Sequence, residues 1–191
     1  MPASHPTSTD HPVFTEFTIE SAPAASRRHL EATEKHLGYL PAASARWAAS
    51  PHLLEGFSRL TGLFESATLD PLAREVVVMT MATRNGCHVC VAMHSGRLSA
   101  LRADPALIAA LRDGPHSPLA DPALDAVRRF TLQLLDTAGD VGDDDLSAFL
   151  AAGYTPRNAL EVVLGISTYT LSTFANRLTR APVDGALRQF A

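Results

Sequence analysis

The sequence predicts an all-α fold, and three observations carry that prediction. A capping residue followed by proline recurs along the chain, at Ser50-Pro51, Asp70-Pro71, Asp104-Pro105, Asp121-Pro122 and Thr155-Pro156. In each pair the first side chain can accept an orphan helix N–H, and the proline brings a φ already set for the first turn. Between these starts apolar residues recur at helical spacing, and no segment shows a strong strand pattern or an internal repeat.

Taken in order, Ala24 to Leu37 is rich in Ala, Glu, Arg, Lys and Leu and stops at Gly38, which predicts a first helix with a glycine C-cap. Pro41 to Ala49 reads as a short second helix. From Pro51, the residues Leu53, Leu54, Phe57, Leu60 and Phe64 form one apolar stripe, broken at Thr68-Leu69-Asp70. Pro71 to Thr83 contains Glu75 and then Val76-Val77-Val78-Met79. That run alone would suit a strand, but the Asp-Pro cap and the length favour a buried helix. Asn85-Gly86 supplies turn chemistry, and Cys87 to Leu101 resumes as a helix ending near Ala103. Pro105 to Arg112 is a short helix and Gly114 to Pro118 a loop. Pro122 to Ala138 places Leu124, Val127, Phe130, Thr131, Leu134 and Leu135 on one face of an amphipathic helix. Asp143-Asp144-Asp145 sets negative charge at the N-terminus of a helix over Leu146 to Ala152, closed by Gly153, where the helix dipole favours it. The last helix, Pro156 to about Thr179, is apolar almost all round between Leu160 and Leu171. It needs cover on most sides, which a partner subunit would supply.

The 191 residues fit one globular domain with a core large enough to need no staples. Residues 1–12 carry three prolines, two histidines and small polar residues and read as a disordered tail, leaving 13–191 as a single helical domain. A net charge of -4 provides no cationic field for nucleic acid, and no run of about eighteen apolar residues is present to span a membrane. Two cysteines and no secretion signal point to the cytoplasm, where a Cys-x-x-Cys pair is more often catalytic or metal-binding than a structural bridge.

Both cysteines fall in Cys87-His88-Val89-Cys90, with His94 four residues after Cys90, so a helix would crowd all three on one face. Two thiols at that spacing can close a disulfide, and a helix N-terminus favours the thiolate. Buried structural thiols, or half of a metal site completed by His94 and Glu75, are the rival readings of the same residues. His94 is placed to take or relay a proton of the Cys90 thiol. Glu75 interrupts an apolar run, and a carboxylate there requires a partner, for which the His94 and cysteine cluster is nearest in sequence.

The spacing Glu75, eleven residues, Cys87-x-x-Cys90, three residues, His94 resembles the signature of the AhpD-like alkylhydroperoxidases of the carboxymuconolactone decarboxylase superfamily. The similarity extends through Leu37-Gly38-Tyr39-Leu40-Pro41, Ala49 to Leu54, Leu72-Ala73-Arg74-Glu75, Ala159 to Val163 and Asn176-Arg177-Leu178, over roughly residues 25–180. The resemblance implies an AhpD-like helical bundle and a cofactor-free thiol peroxidase that forms a homo-oligomer. By the same resemblance Cys90 is the peroxide-attacking thiolate, Cys87 the resolving thiol, and Glu75 with His94 the proton relay. The substrate would be a hydroperoxide and the electron donor an external dithiol. A general dithiol–disulfide oxidoreductase and a redox-regulated helical scaffold are the alternatives. AhpD proper has histidine immediately before the second cysteine; here that residue is Val89, and His88 follows the first cysteine instead, rotated by about 100° on a helix and so directed to solvent. The decarboxylase branch uses no thiol pair, so the two cysteines speak against lactone decarboxylation.

Overall fold

Cap-and-proline pairs open helices where the sequence places them. In the computed structural model, which describes residues 13–191, the chain runs α1 (Ala24–Leu37), α2 (Ala42–Trp47), α3 (Pro51–Glu65), α4 (Pro71–Arg84), α5 (His88–Ala100), α6 (Pro105–Asp113), α7 (Pro122–Asp136), α8 (Asp143–Ala151), α9 (Pro156–Thr179) and a closing 3-10 helix, Gly185–Phe190. The fold is all-α, with no strand among the described residues. The tail reading of residues 1–12 lies outside the described residues.

Each proline start is capped by the residue before it. Asp70 accepts the Leu72 N–H at 2.8 Å, Asp104 that of Ala106 at 2.8 Å, and Asp121 those of Ala123 and Leu124 at 2.8 and 3.1 Å. Thr155 and Asn158 form a reciprocal capping box at the head of α9. Gly38 ends α1 in the left-handed region with φ 81°. Helix ends shift by one or two residues from the sequence reading, and three boundaries differ in a way that matters for packing or the site. Helix α2 stops at Trp47, because Ser50 must turn extended to cap α3. Helix α8 begins at Asp143, so the three aspartates form its first turn rather than preceding it. Helix α5 begins at His88, with Cys87 outside it as the N-cap.

Helix α4 is the axis of the fold, packed by α5, α6, α7 and α9. Every residue from Glu75 to Ala82 is buried, which explains why its apolar run lacks the one-sided pattern of a surface helix. Phe64, Val127, Phe130, Phe149, Val162 and Tyr169 complete this core. A second cluster, around Leu30, Trp47, Ala48, Leu54 and Ala175, joins α1, α2 and α3 to the end of α9. Two ties hold α2 in place there. Buried Arg46 donates to the carbonyls of Thr179 and Arg180 at 2.7 and 2.8 Å, and Asp184 accepts the Ala42 N–H at 3.0 Å.

Helix α9 spans both clusters. Near its start, buried Glu161 accepts the N–H groups of Thr68 and Leu69, both at 2.9 Å, and so fixes the turn that leads into α4. Its outer face is not covered by the described residues: Leu160, Val163, Phe174 and Leu178 are exposed. The 3-10 helix, too short for periodicity to reveal, lays the Phe190 ring against Gly96 of α5, and the Phe190 carbonyl accepts from Arg112. Among the described residues no helix is long and apolar enough to cross a membrane.

Gly165 sets how closely α9 approaches α3 and α4. A Cβ there would lie 2.6 and 2.7 Å from ring carbons of buried Phe64 and 3.1 Å from Val77. Gly165→Ala should therefore destabilise the fold by about 1–2 kcal/mol, overpacking outweighing the helix propensity gained. A lower midpoint of denaturant unfolding, with an unchanged slope, is the expected reading.

Candidate active site

The site is built where α4 ends and α5 begins. Asn85 closes α4, and Gly86 takes φ 61°, a left-handed turn that points the next residue back along α4. Arg177 of α9 clamps this turn, donating to the carbonyls of Asn85 at 2.6 Å and Gly86 at 3.0 Å. A side chain at Gly86 would collide with that guanidinium. The Asn85 amide donates in turn to Thr173, also on α9, at 2.9 Å.

Cys87 follows as the N-cap of α5, its sulfur accepting the Cys90 N–H at 3.4 Å. Both cysteines are free thiols, 2% and 5% exposed, with their sulfurs 2.8 Å apart. The Asn176 side-chain amide, reaching in from α9, donates across the pair at 3.3 Å to Cys90 and 3.6 Å to Cys87. The two thiols are electrostatically unlike. The hydrogen bond from the Cys90 thiol lowers Cys87 to about 7 against the opposing effect of burial, with help from the Cys90 N–H, the Asn176 amide and the Arg177 charge. Cys90 is raised well above the usual thiol range, first because it donates to Cys87, then by burial and by the Cys87 charge. When the pair loses a proton, the negative charge therefore falls on Cys87 and the remaining proton stays on Cys90.

Glu75 and His94 form a second pair. Glu75 Oε2 and His94 Nδ1 lie 2.7 Å apart, with both residues buried. Burial alone would raise the Glu75 carboxyl. The charge and hydrogen bond of His94, with Arg97 and Arg74, reverse this and hold it below the ordinary carboxylate range. Arg97 Nε stands 3.4 Å from the other Glu75 oxygen. The Tyr169 ring meets the imidazole edge-on with centroids 5.2 Å apart, which fixes the imidazole plane. With Nδ1 engaged, Nε2 is the ring nitrogen left to carry a proton elsewhere.

All four residues singled out in the sequence therefore gather at the α4–α5 junction, but as two contacting pairs. No hydrogen bond joins His94 to either sulfur. The pairs meet at a cavity of about 350 Å³, into which Cys90 and His94 open while Cys87 and Glu75 lie behind them. Val89 also lines it, and His88 is exposed to solvent. Among the described residues no group of three or more His, Cys, Asp or Glu side chains is arranged to hold a metal ion. Sequence reasoning missed Arg97, Tyr169 and the function of Asn176. Of these only Asn176 left a signal, as the first residue of the Asn176-Arg177-Leu178 run that carries part of the family resemblance.

Residues 51–133, from α3 into α7, match the model of the carboxymuconolactone decarboxylase family. Among curated proteins none matches the chain by sequence. By structure the chain is similar to an uncharacterized peroxidase-related protein with the alkylhydroperoxidase AhpD core from Ralstonia eutropha JMP134, at 18% identity and a TM-score of 0.81, over 93% of this chain and 96% of that one. A peroxidase-related protein from Silicibacter sp. TM1040 follows at 16% identity and a TM-score of 0.77, over 93% and 95% of the two chains. The debrominase Bmp8 superposes with a TM-score of 0.75 at 16% identity, over 94% and 96%. The match to the carboxymuconolactone decarboxylase family model thus falls on the helices that build the site, and the chain shares its fold over most of its length with structures that carry the AhpD core.

Proposed function

We propose that this protein is a thiol-dependent peroxidase that reduces a hydroperoxide through a Cys87/Cys90 dithiol–disulfide cycle. The observation that carries the reading is the division of labour between the sulfurs. Cys90 opens onto the cavity, and a second sulfur that ionises more readily waits 2.8 Å behind it. The peroxidase-related relatives support the same chemistry.

In the first step His94 draws off the proton of Cys90, which is the neutral thiol in the resting pair and not the thiolate that the resemblance implies, as Cys90 Sγ attacks the terminal peroxide oxygen. The O–O bond breaks, Cys90 becomes a sulfenic acid, and its thiol proton ends on the departing alkoxide, which leaves as an alcohol. His94, held by Glu75 and sharing the cavity wall with Cys90, relays that proton. The Cys87 thiolate then attacks Cys90 Sγ, closing the disulfide and expelling hydroxide, which takes a proton and leaves as water. An external dithiol reduces the disulfide and is itself oxidised. Free thiols suit a reducing compartment, which supports a cytoplasmic location. The exposed apolar side chains of α9 support a homo-oligomer.

Cys90→Ser should abolish consumption of an organic hydroperoxide with a dithiol donor, whereas Cys87→Ser should complete one turnover and accumulate a sulfenic acid that a dimedone probe labels. His94→Ala should slow the first step by about 10²–10⁴-fold. Turnover by Cys90→Ser at the wild-type rate would overturn the assignment.

The thiolate population should follow Cys87. Because its pKa is lowered to about 7, the ultraviolet absorbance of the thiolate should rise as pH increases through that value, carrying the rate of disulfide closure with it. The transition should disappear in Cys87→Ser.

Light scattering should give a mass that is a multiple of the 20.4 kDa chain, and Phe174→Glu with Leu178→Glu should shift it towards a single chain. A monomer mass for the wild-type protein would refute the assembly.

A further inference from the structure

The Cys90 sulfur faces the cavity, but its neighbour does not. Cys87 is 2% exposed and has no place on the cavity wall. It lies in a small cluster with Ala82, Val89 and Cys90, against which Ala181 and Val183 pack from the segment that follows α9. Neither of these two lines the cavity, so the segment covers the dithiol on the side away from it.

This cover is tied down at two points and is not itself buried. Beside Val183, Asp184 Oδ1 accepts the Ala42 N–H at 3.0 Å, while the other carboxylate oxygen is buried without a partner. A carboxylate half satisfied in this way is a weak tie, because the cost of burying its second oxygen offsets the hydrogen bond made by the first. At the far end the Phe190 ring lies in a notch at Gly96 of α5, where a Cβ would stand 3.1 Å from two ring carbons. Arg112 donates to the Phe190 carbonyl there. No residue from 181 to 191 is buried. Segments with few buried apolar contacts are those that open locally while the rest of a fold stays closed.

Access to the two sulfurs therefore differs in kind. A cavity of about 350 Å³ has the size of a small ligand, and a molecule that enters it meets Cys90. A dithiol fixed on a protein surface does not fit there. For such a partner Cys87 is the sulfur to reach from outside. It is also the better one to hold, since a thiol lowered to about 7 is a fast leaving group when a mixed disulfide resolves.

We infer that residues 181–190 are a strap that closes Cys87 off, and that its release from Ala42 and Gly96 opens this sulfur to a dithiol on the surface of a reducing protein. With the strap open, one thiolate of the partner attacks Cys87 Sγ. The Cys87–Cys90 bond breaks, and Cys90 leaves as a thiolate and takes a proton. The partner's second thiolate then attacks the partner sulfur bonded to Cys87, so that Cys87 departs as a thiolate and the partner becomes a disulfide. Two electrons have passed to the pair. This redox step rests on the dithiol–disulfide cycle proposed above; the shielding of Cys87 does not.

Two variants loosen the strap by different routes. Asp184→Ala with Phe190→Ser frees both ties, and Gly96→Leu expels the ring while improving helix propensity. In a Cys90→Ser background Cys87 is the sole thiol. Its labelling by fluorescein maleimide, a bulky reagent, should quicken by about tenfold or more in both variants, as expected when a hydrogen bond or a ring contact no longer opposes local opening. The midpoint of denaturant unfolding should stay near that of the parent. With both cysteines present and oxidised, reduced thioredoxin should reduce the variants about tenfold faster than the wild type, while dithiothreitol reduces all three at similar rates. A contact that only stabilised the fold would lower the midpoint and move the two reductants together. Equal labelling in parent and variants would overturn the strap. Faster labelling with an unchanged thioredoxin rate would overturn its role as a gate. Faster labelling and faster thioredoxin reduction in a chain that consumes no hydroperoxide would uphold the strap and remove the peroxidase reading. Hydroperoxide turnover with dithiothreitol and equal labelling throughout would do the reverse.

Discussion

Helix α5 is capped by a sulfur. At the proline-led helix starts the capping atom is a serine, threonine or aspartate oxygen; at α5 it is Cys87 Sγ, which receives the Cys90 N–H. The demand of a helix start for an acceptor and the stabilisation of a thiolate become one interaction. Everything nearby serves that placement. Gly86 permits the turn, Arg177 clamps it, and Asn176 donates across both sulfurs. The charge this creates lies behind Cys90, so the sulfur that faces the cavity is the neutral one.

Helix α9 is the element on which these constraints meet. Glu161 at one end fixes the approach to α4, Gly165 lets α9 lie close against Phe64, and Tyr169, Asn176 and Arg177 reach successive parts of the site. The same helix carries Leu160, Val163, Phe174 and Leu178 on the outside. A helix that reads as apolar almost all round between Leu160 and Leu171 is therefore asked for two different things, a tightly fitted inner face and an outer face left open by the described residues.

Much of this was legible in the sequence because local rules dominate it. The Asp-Pro, Ser-Pro and Thr-Pro pairs mark helix starts through two independent preferences, and the observed N-caps use those side chains. Glu75 betrayed itself as a carboxylate in an apolar run, and the spacing to Cys90 fixed His94 on the same helix face. What stayed hidden is non-local. Asn176 is 86 residues from Cys90, and Trp47 reaches the cavity only because Arg46 ties α2 to the end of α9. The 3-10 helix was hidden for another reason, since six residues are too few to show a period. Nor does spacing tell which sulfur keeps the proton, because that depends on one residue being the cap and the other lying inside the helix.

The sulfur cap has a consequence for the proposed dithiol–disulfide cycle. Forming the disulfide removes a thiolate from the amide end of α5, so the helix loses a charge that it stabilises only in the reduced state. Whatever favours the reduced form makes the oxidised form the stronger oxidant. In the proposed cycle the fold therefore biases the disulfide towards accepting electrons, and the same N-terminal turn that prepares the Cys87 thiolate for one half of that cycle supplies driving force for the other.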